Sequence, residues 1–268
     1  EPLSMIPRSS DGQLLFLLNN ISKMKQDTPL GSRIVEVHNG SSLFTGDAGS
    51  GESNARRYMI ENDLVEAIIA LPEKMFYNTG IGTFIWVLSN RKEERRKGKI
   101  QLIDATAIKT PLRKNMGEKN CELSPAQRQE IVRIFMAFEE SEVSRIFPNS
   151  EFGYWKVSVQ QPLLDEQGNP ALDKKGRIQP DKAKADTEII PFRYEGGIEA
   201  FMDAEVRPYA PGAYIDPKAT KIGYELSFTK YFYKPVQLRP MEDIVADLKA
   251  LEKETDGMLA EILGGIQG

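Results

Sequence analysis

Gly46-Asp47-Ala48-Gly49-Ser50-Gly51-Glu52-Ser53 sets three glycines among small polar and acidic residues. Such a stretch lets backbone approach a phosphate or a nucleoside closely. Read as a phosphate loop of the form G-x-x-x-x-G-K-[ST], Gly46 and Gly51 have the spacing and Ser53 the place of the metal-binding hydroxyl. Glu52, however, stands where the lysine belongs, and a carboxylate there repels the phosphates the lysine should neutralise. Read as an S-adenosylmethionine loop, Asp47, Gly49 and Gly51 precede a helix, a strand and an acid, Glu73, able to hold ribose hydroxyls. Yet eight residues separate Val37, at the end of the preceding strand, from Gly46, whereas such a loop leaves its strand directly. The third reading is a βα loop at the edge of a sheet.

Phe76-Tyr77-Asn78-Thr79-Gly80-Ile81-Gly82 offers a different chemistry. An aromatic pair ringed by Asn, Thr and Gly after a strand is either core or a face on which a flipped base can stack. Arg91, Lys92, Arg95, Arg96, Lys97 and Lys99 form a basic cluster diluted by Glu93 and Glu94. It reads as a solvated turn or as a set of DNA-phosphate contacts. His38 is the sole histidine and Cys121 the sole cysteine. A His-rich metal site, a Cys-based zinc site and an intrachain disulfide are therefore excluded. His38 reads as structural, and Cys121, in a polar stretch, is assigned no role.

The elements that must position these residues follow from periodicity. Leu14, Leu15, Leu18, Ile21 and Met24 predict a helix over 12–26. Arg33–Val37, Leu64–Leu71, Thr83–Leu88 and Lys99–Asp104 read as strands, the middle two so apolar that they need cover on both faces. A helix capped by Ser53 or Asn54 is expected over 53–62, and another from Ser124-Pro125 to about Ser144. Residues 109–122 read as loop. Gly153–Val159 reads as a strand, 165–186 as a mobile polar insertion, 187–192 as extended and 198–206 as a short helix. No periodicity emerges over 207–239. Pro240 opens a long helix whose Met241, Ile244, Leu248, Leu251, Met258 and Ile262 alternate spacings of three and four, with Thr255 in the gap.

The chain has 268 residues and a net charge of −4, with pI near 5.4. A DNA-binding domain acting alone is usually basic, so contact with nucleic acid here needs a local patch or help. No apolar run reaches bilayer length and no signal peptide is recognisable. A cytoplasmic protein without membrane contact is expected. The first residue, Glu1, is not a start methionine, which suggests a processed chain or one cut from something longer.

Arg33–Phe44, Arg56–Pro72, Met75–Ile81 and Thr220–Tyr233, taken together, resemble the modification (M) subunit of type I restriction-modification systems, which are N6-adenine DNA methyltransferases. The resemblance covers nearly the whole chain, with Phe76-Tyr77-x-x-Gly80-Ile81 and Gly223-Tyr224-Glu225 as its most specific parts. It departs at Asn39, where many members have Pro. The sequence has no adjacent prolines, so the family's catalytic Asn-Pro-Pro-Phe/Tyr motif is absent.

The resemblance implies an α/β fold: the C-terminal part of a Rossmann-like class I methyltransferase sheet, a mixed region and a long C-terminal helix. Three parts are expected: methyltransferase portion 1–115, mixed α/β region 116–239 and subunit-packing helix 240–268. The glycine loop becomes the connection after the fifth sheet strand. Phe76, with Tyr77 beside it, takes the position that stacks on the extruded adenine. Arg91, Lys92, Arg95, Arg96 and Lys97 are candidate phosphate contacts. S-adenosylmethionine is the cofactor of the full-length protein, with none expected to bind this chain alone. The implied partners are DNA, the specificity and restriction subunits, and a second modification subunit. The competing readings are a scaffold acting through its terminal helix, and a small independent methyltransferase using the 46–53 loop and Glu73.

Overall fold

The computed structural model describes residues 4–233 and 239–264, with the side chains of 252, 254 and 256–264 excepted. The helices are α1 (Gln13–Ser22), α2 (Ser41–Phe44), α3 (Gly51–Glu61), α4 (Pro125–Ala137), α5 (Gly197–Phe201), α6 (Phe228–Phe232) and α7 (Met241–Gly264). The strands are β1 (Arg33–Asn39), β2 (Val65–Ala70), β3 (Thr83–Ser89), β4 (Lys99–Asp104), β5 (Thr110–Met116), β6 (Lys119–Glu122), β7 (Ser144–Pro148), β8 (Gly153–Gln160), β9 (Asp186–Pro191) and β10 (Tyr214–Tyr224). Two compact units emerge, 1–232 and 233–268.

The main sheet has the order β1-β3-β2-β4-β7. β2 and β4 run parallel, and the other neighbours are antiparallel. Every residue of β2 is buried, because the sheet is covered on both faces, as an apolar run interrupted only by Glu66 requires. On one face Leu14, Leu17 and Ile21 of α1 and Ala55, Met59 and Ile60 of α3 pack on Ile68, Trp86, Leu88 and Leu102. On the other, Ile131 and Ile134 of α4 pack on Ala67, Ile69, Val87 and Ile103. Each large apolar side chain so buried contributes about 1.5–3 kcal/mol. The exception to apolarity, Glu66, is fully buried and receives Arg33 in two bonds, Nε at 2.8 Å and Nη2 at 3.2 Å.

A second sheet, β10-β8-β9, buries Val157, Val159 and Ile190 against Met202 and Val206. The end of β10 joins the first core. The buried Arg56 donates from Nε to the Tyr224 carbonyl at 2.6 Å, and the Tyr224 N–H donates to Ser53 Oγ at 3.0 Å. Burial lowers the Arg56 guanidinium to about 10, still charged at neutral pH.

The α/β class and the strands β1–β4 agree with the sequence reading. Four stretches differ. Residues 110–122 form an antiparallel hairpin, β5–β6, not a loop. α4 stops at Ala137 because Phe138 turns left-handed, φ +52°, and 144–148 pairs with β4 instead. The polar insertion is tied by bridges Leu164–Pro170 and Leu172–Ile178, around turns where Asp165 and Asp173 accept backbone N–H groups. The aperiodic stretch after 207 contains β10, whose register shifts between Asp216 and Lys221. In the terminal unit α7 spans Met241–Gly264. Residues 265–268 of the expected helix, and the seam side chains Met258 and Ile262, lie outside the described set. Among the described residues no helix is long and apolar enough to cross a membrane.

Candidate functional site

The loop 72–82 hangs from the carboxyl end of β2 and returns as β3. Its neck closes where the Leu71 N–H donates to the Thr83 carbonyl at 2.9 Å. Lys74 and Asn78 adopt left-handed backbone, each with φ +56°, a conformation Asn tolerates better than most residues. The kinks carry the aromatic pair outward. Phe76 is 37% and Tyr77 57% exposed, so neither is core, and of the two Phe76 makes no ring contact among the described residues.

Tyr77 has partners. Its hydroxyl lies 3.8 Å from the Met116 sulfur, and Lys119 Nζ stands 5.1 Å from its ring centroid. Both partners belong to the β5–β6 hairpin, which supports the loop from one side. The Asn120 N–H donates to the Lys74 carbonyl at 3.0 Å, and Cys121 Sγ to the Glu73 carbonyl at 3.3 Å. Cys121 is thereby a buried structural thiol. The aromatic pair divides into an anchor, Tyr77, and a free face, Phe76.

The glycine loop is occupied by the chain itself. A Cβ on Gly51 would meet the Ile6 carbonyl oxygen at 1.8 Å, so that glycine is required by the chain's own amino-terminal segment. Glu52 accepts from the Arg8 N–H at 3.0 Å and from Arg8 Nε at 3.2 Å. Burial raises its carboxyl, but these bonds outweigh burial and hold it below its ordinary value. Asp47 pairs with Lys156 at 2.6 Å, and that bond lowers its carboxyl. Asn54 donates to the Ser4 carbonyl at 2.9 Å. Helix α3 starts at Gly51, capped by Ser50, two residues before the expected start. With backbone against Gly51 and Asp47 and Glu52 both neutralised internally, these residues do not fit a donor nucleoside or a phosphate.

His38 is buried, with Nε2 3.1 Å from Glu36. Burial pushes its imidazole below the ordinary value, and Glu36 only partly offsets this.

The basic turn 91–97 sits at the other end of β3. Ser89, at that end, donates to the Leu64 carbonyl, whereas Phe76 lies beyond Leu71. Seven strand residues separate the two ends, about 23 Å at strand rise. Lys92 is buried, its Nζ 2.6 Å from Asp63 and 2.8 Å from the Lys99 carbonyl. Burial raises the Asp63 carboxyl, but Lys92, the Gly98 N–H and Asn149 outweigh this and lower it. Burial also lowers the Lys92 ammonium. The Arg96 guanidinium lies 4.2 and 4.3 Å from the Phe135 and Phe138 rings. It donates to the Phe135 carbonyl and to Gln101. Arg95 donates to the carbonyls of Ala137 and Met136 at 3.0 and 2.7 Å. Lys97 pairs with Glu94 and Arg91 donates to the Gln26 carbonyl. Arg95 and Arg96 thus finish α4, whose last carbonyls need donors, and Lys92 and Arg96 are too buried to meet a phosphate. The turn and the aromatic loop are not brought together.

Comparison with known proteins gives these features a family. The type I restriction enzyme MjaVII methylase subunit of Methanocaldococcus jannaschii is 47% identical over 58 residues, 22% of this chain and 10% of that protein. The MjaIX methylase subunit of the same organism is 33% identical over 112 residues, 42% and 19% respectively. The HindI methylase subunit of Haemophilus influenzae is 42% identical over 59 residues, 22% and 13%. The matched stretches thus span less than a fifth of these relatives' own lengths. A solved type I restriction-modification methyltransferase subunit from Streptococcus thermophilus superposes on 56% of this chain and 29% of its own. It does so at 22% identity with a TM-score of 0.47, too slight a likeness to argue from. The family model described as N-6 DNA Methylase matches residues 3–157, more than half of the 268, and the chain therefore belongs to the N-6 DNA methylase family.

Proposed function

We propose that this chain works within a type I restriction-modification methyltransferase that transfers a methyl group from S-adenosylmethionine to adenine N6 in DNA. In this reading it supplies one wall of the pocket that receives the extruded adenine. The observation that carries the reading is Phe76, a 37% exposed ring without a ring partner among the described residues, held at the carboxyl end of β2 by a braced loop. A base swung out of the duplex loses its neighbours' stacking, and a flat apolar ring replaces part of it. The catalytic Asn-Pro-Pro-Phe motif is not in this sequence and the glycine loop does not fit the donor, so no step of the transfer itself is assigned to these residues.

The partners in this reading are DNA, the specificity and restriction subunits, and a second modification subunit. The terminal unit supports subunit docking. Met241, Ile244, Leu248 and Leu251 of α7 are exposed, and an amphipathic helix of this length gains most of its stability by covering such a face.

The test is Phe76→Ala in the assembled methyltransferase. Stacking on an aromatic ring is worth about 1–3 kcal/mol per base, roughly one to two powers of ten. The methylation kcat/KM falls by about that factor, and the emission of 2-aminopurine at the target position changes. Unaltered emission together with unaltered kcat/KM refutes the stacking role.

A further inference from the structure

Resting on the proposed DNA-methyltransferase reading, we infer that the β5–β6 hairpin grips the DNA backbone beside the extruded base, with Lys109, Arg113 and Lys114 as its phosphate contacts. The hairpin and its lead-in, 109–122, carry four cations against the two carboxylates Glu118 and Glu122. Lys109, Arg113 and Lys114 are exposed. Among the described residues their side chains make no ion pair or hydrogen bond. That sets them apart from Lys92, Arg95, Arg96 and Lys97, each of which has a protein partner. Glu118 is exposed as well, and its carboxylate reaches toward the aromatic loop: its Oε2 and Lys74 Cε both lie within 4 Å of the same point beside Gly80. The hairpin that braces the Phe76 loop, with its lead-in, thus carries three exposed cations without a partner among the described residues.

The second argument is mechanical. Hairpin and aromatic loop are joined by the Asn120–Lys74 and Cys121–Glu73 bonds and by Tyr77 lodged between Met116 and Lys119. A phosphate bound on the hairpin therefore sets the distance from the backbone to the Phe76 ring. A base can be held out of the duplex only if its flanking phosphates are held too, and free lysines and arginines at that rim supply the attraction.

The experiment compares the assembled methyltransferase with a K109A/R113A/K114A variant on a duplex carrying 2-aminopurine at the target. Affinity is measured between 50 and 200 mM salt. Each phosphate contact contributes about −0.9 to the slope of log K against log salt. The variant is expected to bind about 2–3 slope units less steeply, with a smaller change in target emission at saturating protein. Arg133→Ala, which removes a cation already paired with Glu130 on α4, serves as control and leaves the slope unchanged. If the wild type binds and Phe76→Ala alters the emission while the triple variant keeps the wild-type slope, the hairpin inference fails alone. If the wild type shows no salt-dependent binding to duplex, the DNA reading fails and takes the hairpin with it.

Discussion

Arg96 shows how little a cation's identity says about its use. In the sequence it is one of six basic residues in a turn, and solvation or phosphate binding are the natural readings. In the structure it lies between two phenylalanine rings and donates to the last turn of α4. What decides this is Phe138, far away in the sequence, which leaves the helix left-handed and turns its ring and the preceding carbonyls toward 95–96. Among the described residues, Lys109, Arg113 and Lys114 of the hairpin and its lead-in are cations that do lack a partner, in a stretch where no cluster is dense enough to attract notice. The small polar neighbours of Phe76 left core and stacking face open in the sequence, and the structure shows the ring exposed, while the anchoring of Tyr77 required the hairpin to be seen. The prediction at this scale concerns Arg96→Ala. It removes a buried charge-assisted bond and two ring contacts and exposes the end of α4. A loss of about 2–4 kcal/mol is expected from the urea midpoint, with the salt slope of DNA binding unchanged. A normal midpoint with a shallower slope would reverse the assignment and return Arg96 to the phosphates.

Among the elements, those with one dominant environment were readable. β2 and β3 are covered on both sides and, apart from Glu66 and the terminal Thr83 and Ser89, are apolar. The hairpin β5–β6 was not readable because every residue of β5 except Leu112 is exposed, so no alternation marks it, and Pro111 and Gly117 suggest a loop. α4 was read on to about Ser144 because the helix ends without glycine, and β7, which begins there, was not read at all. β10 was hidden by Pro217 and a register shift, and its pairing with β8 is a long-range fact. The glycine loop teaches the same lesson about motifs: glycine spacing reports close approach, not what approaches. Gly51→Ala tests this, since the added methyl would collide with the Ile6 carbonyl. We expect a destabilisation of about 1–3 kcal/mol, as for other overpacked sites, with faster amide exchange around Ile6–Arg8. Unchanged exchange there would show that the glycine does not serve the amino-terminal segment.

At the scale of the whole molecule the division into 1–232 and 233–268 separates two kinds of stability. The first unit has its cores on both faces of a five-stranded sheet. The second is one long helix whose described apolar seam, Met241 to Leu251, is exposed, and an isolated helix of this kind is marginal in water. The alternating spacing of three and four that made it visible in the sequence is also the pattern that packs into a facing helix, so its order and its partner are coupled. Deleting residues 240–268 should therefore leave the thermal midpoint of the first unit within about 2 °C of the intact chain, since one kcal/mol in a domain of this size shifts it by about 2–4 °C. The same deletion should abolish capture of the specificity subunit in a pull-down. Leu248→Asp with Leu251→Asp should do likewise without shortening the chain. Undiminished capture by both variants would move the docking surface off α7 and onto the sheet domain.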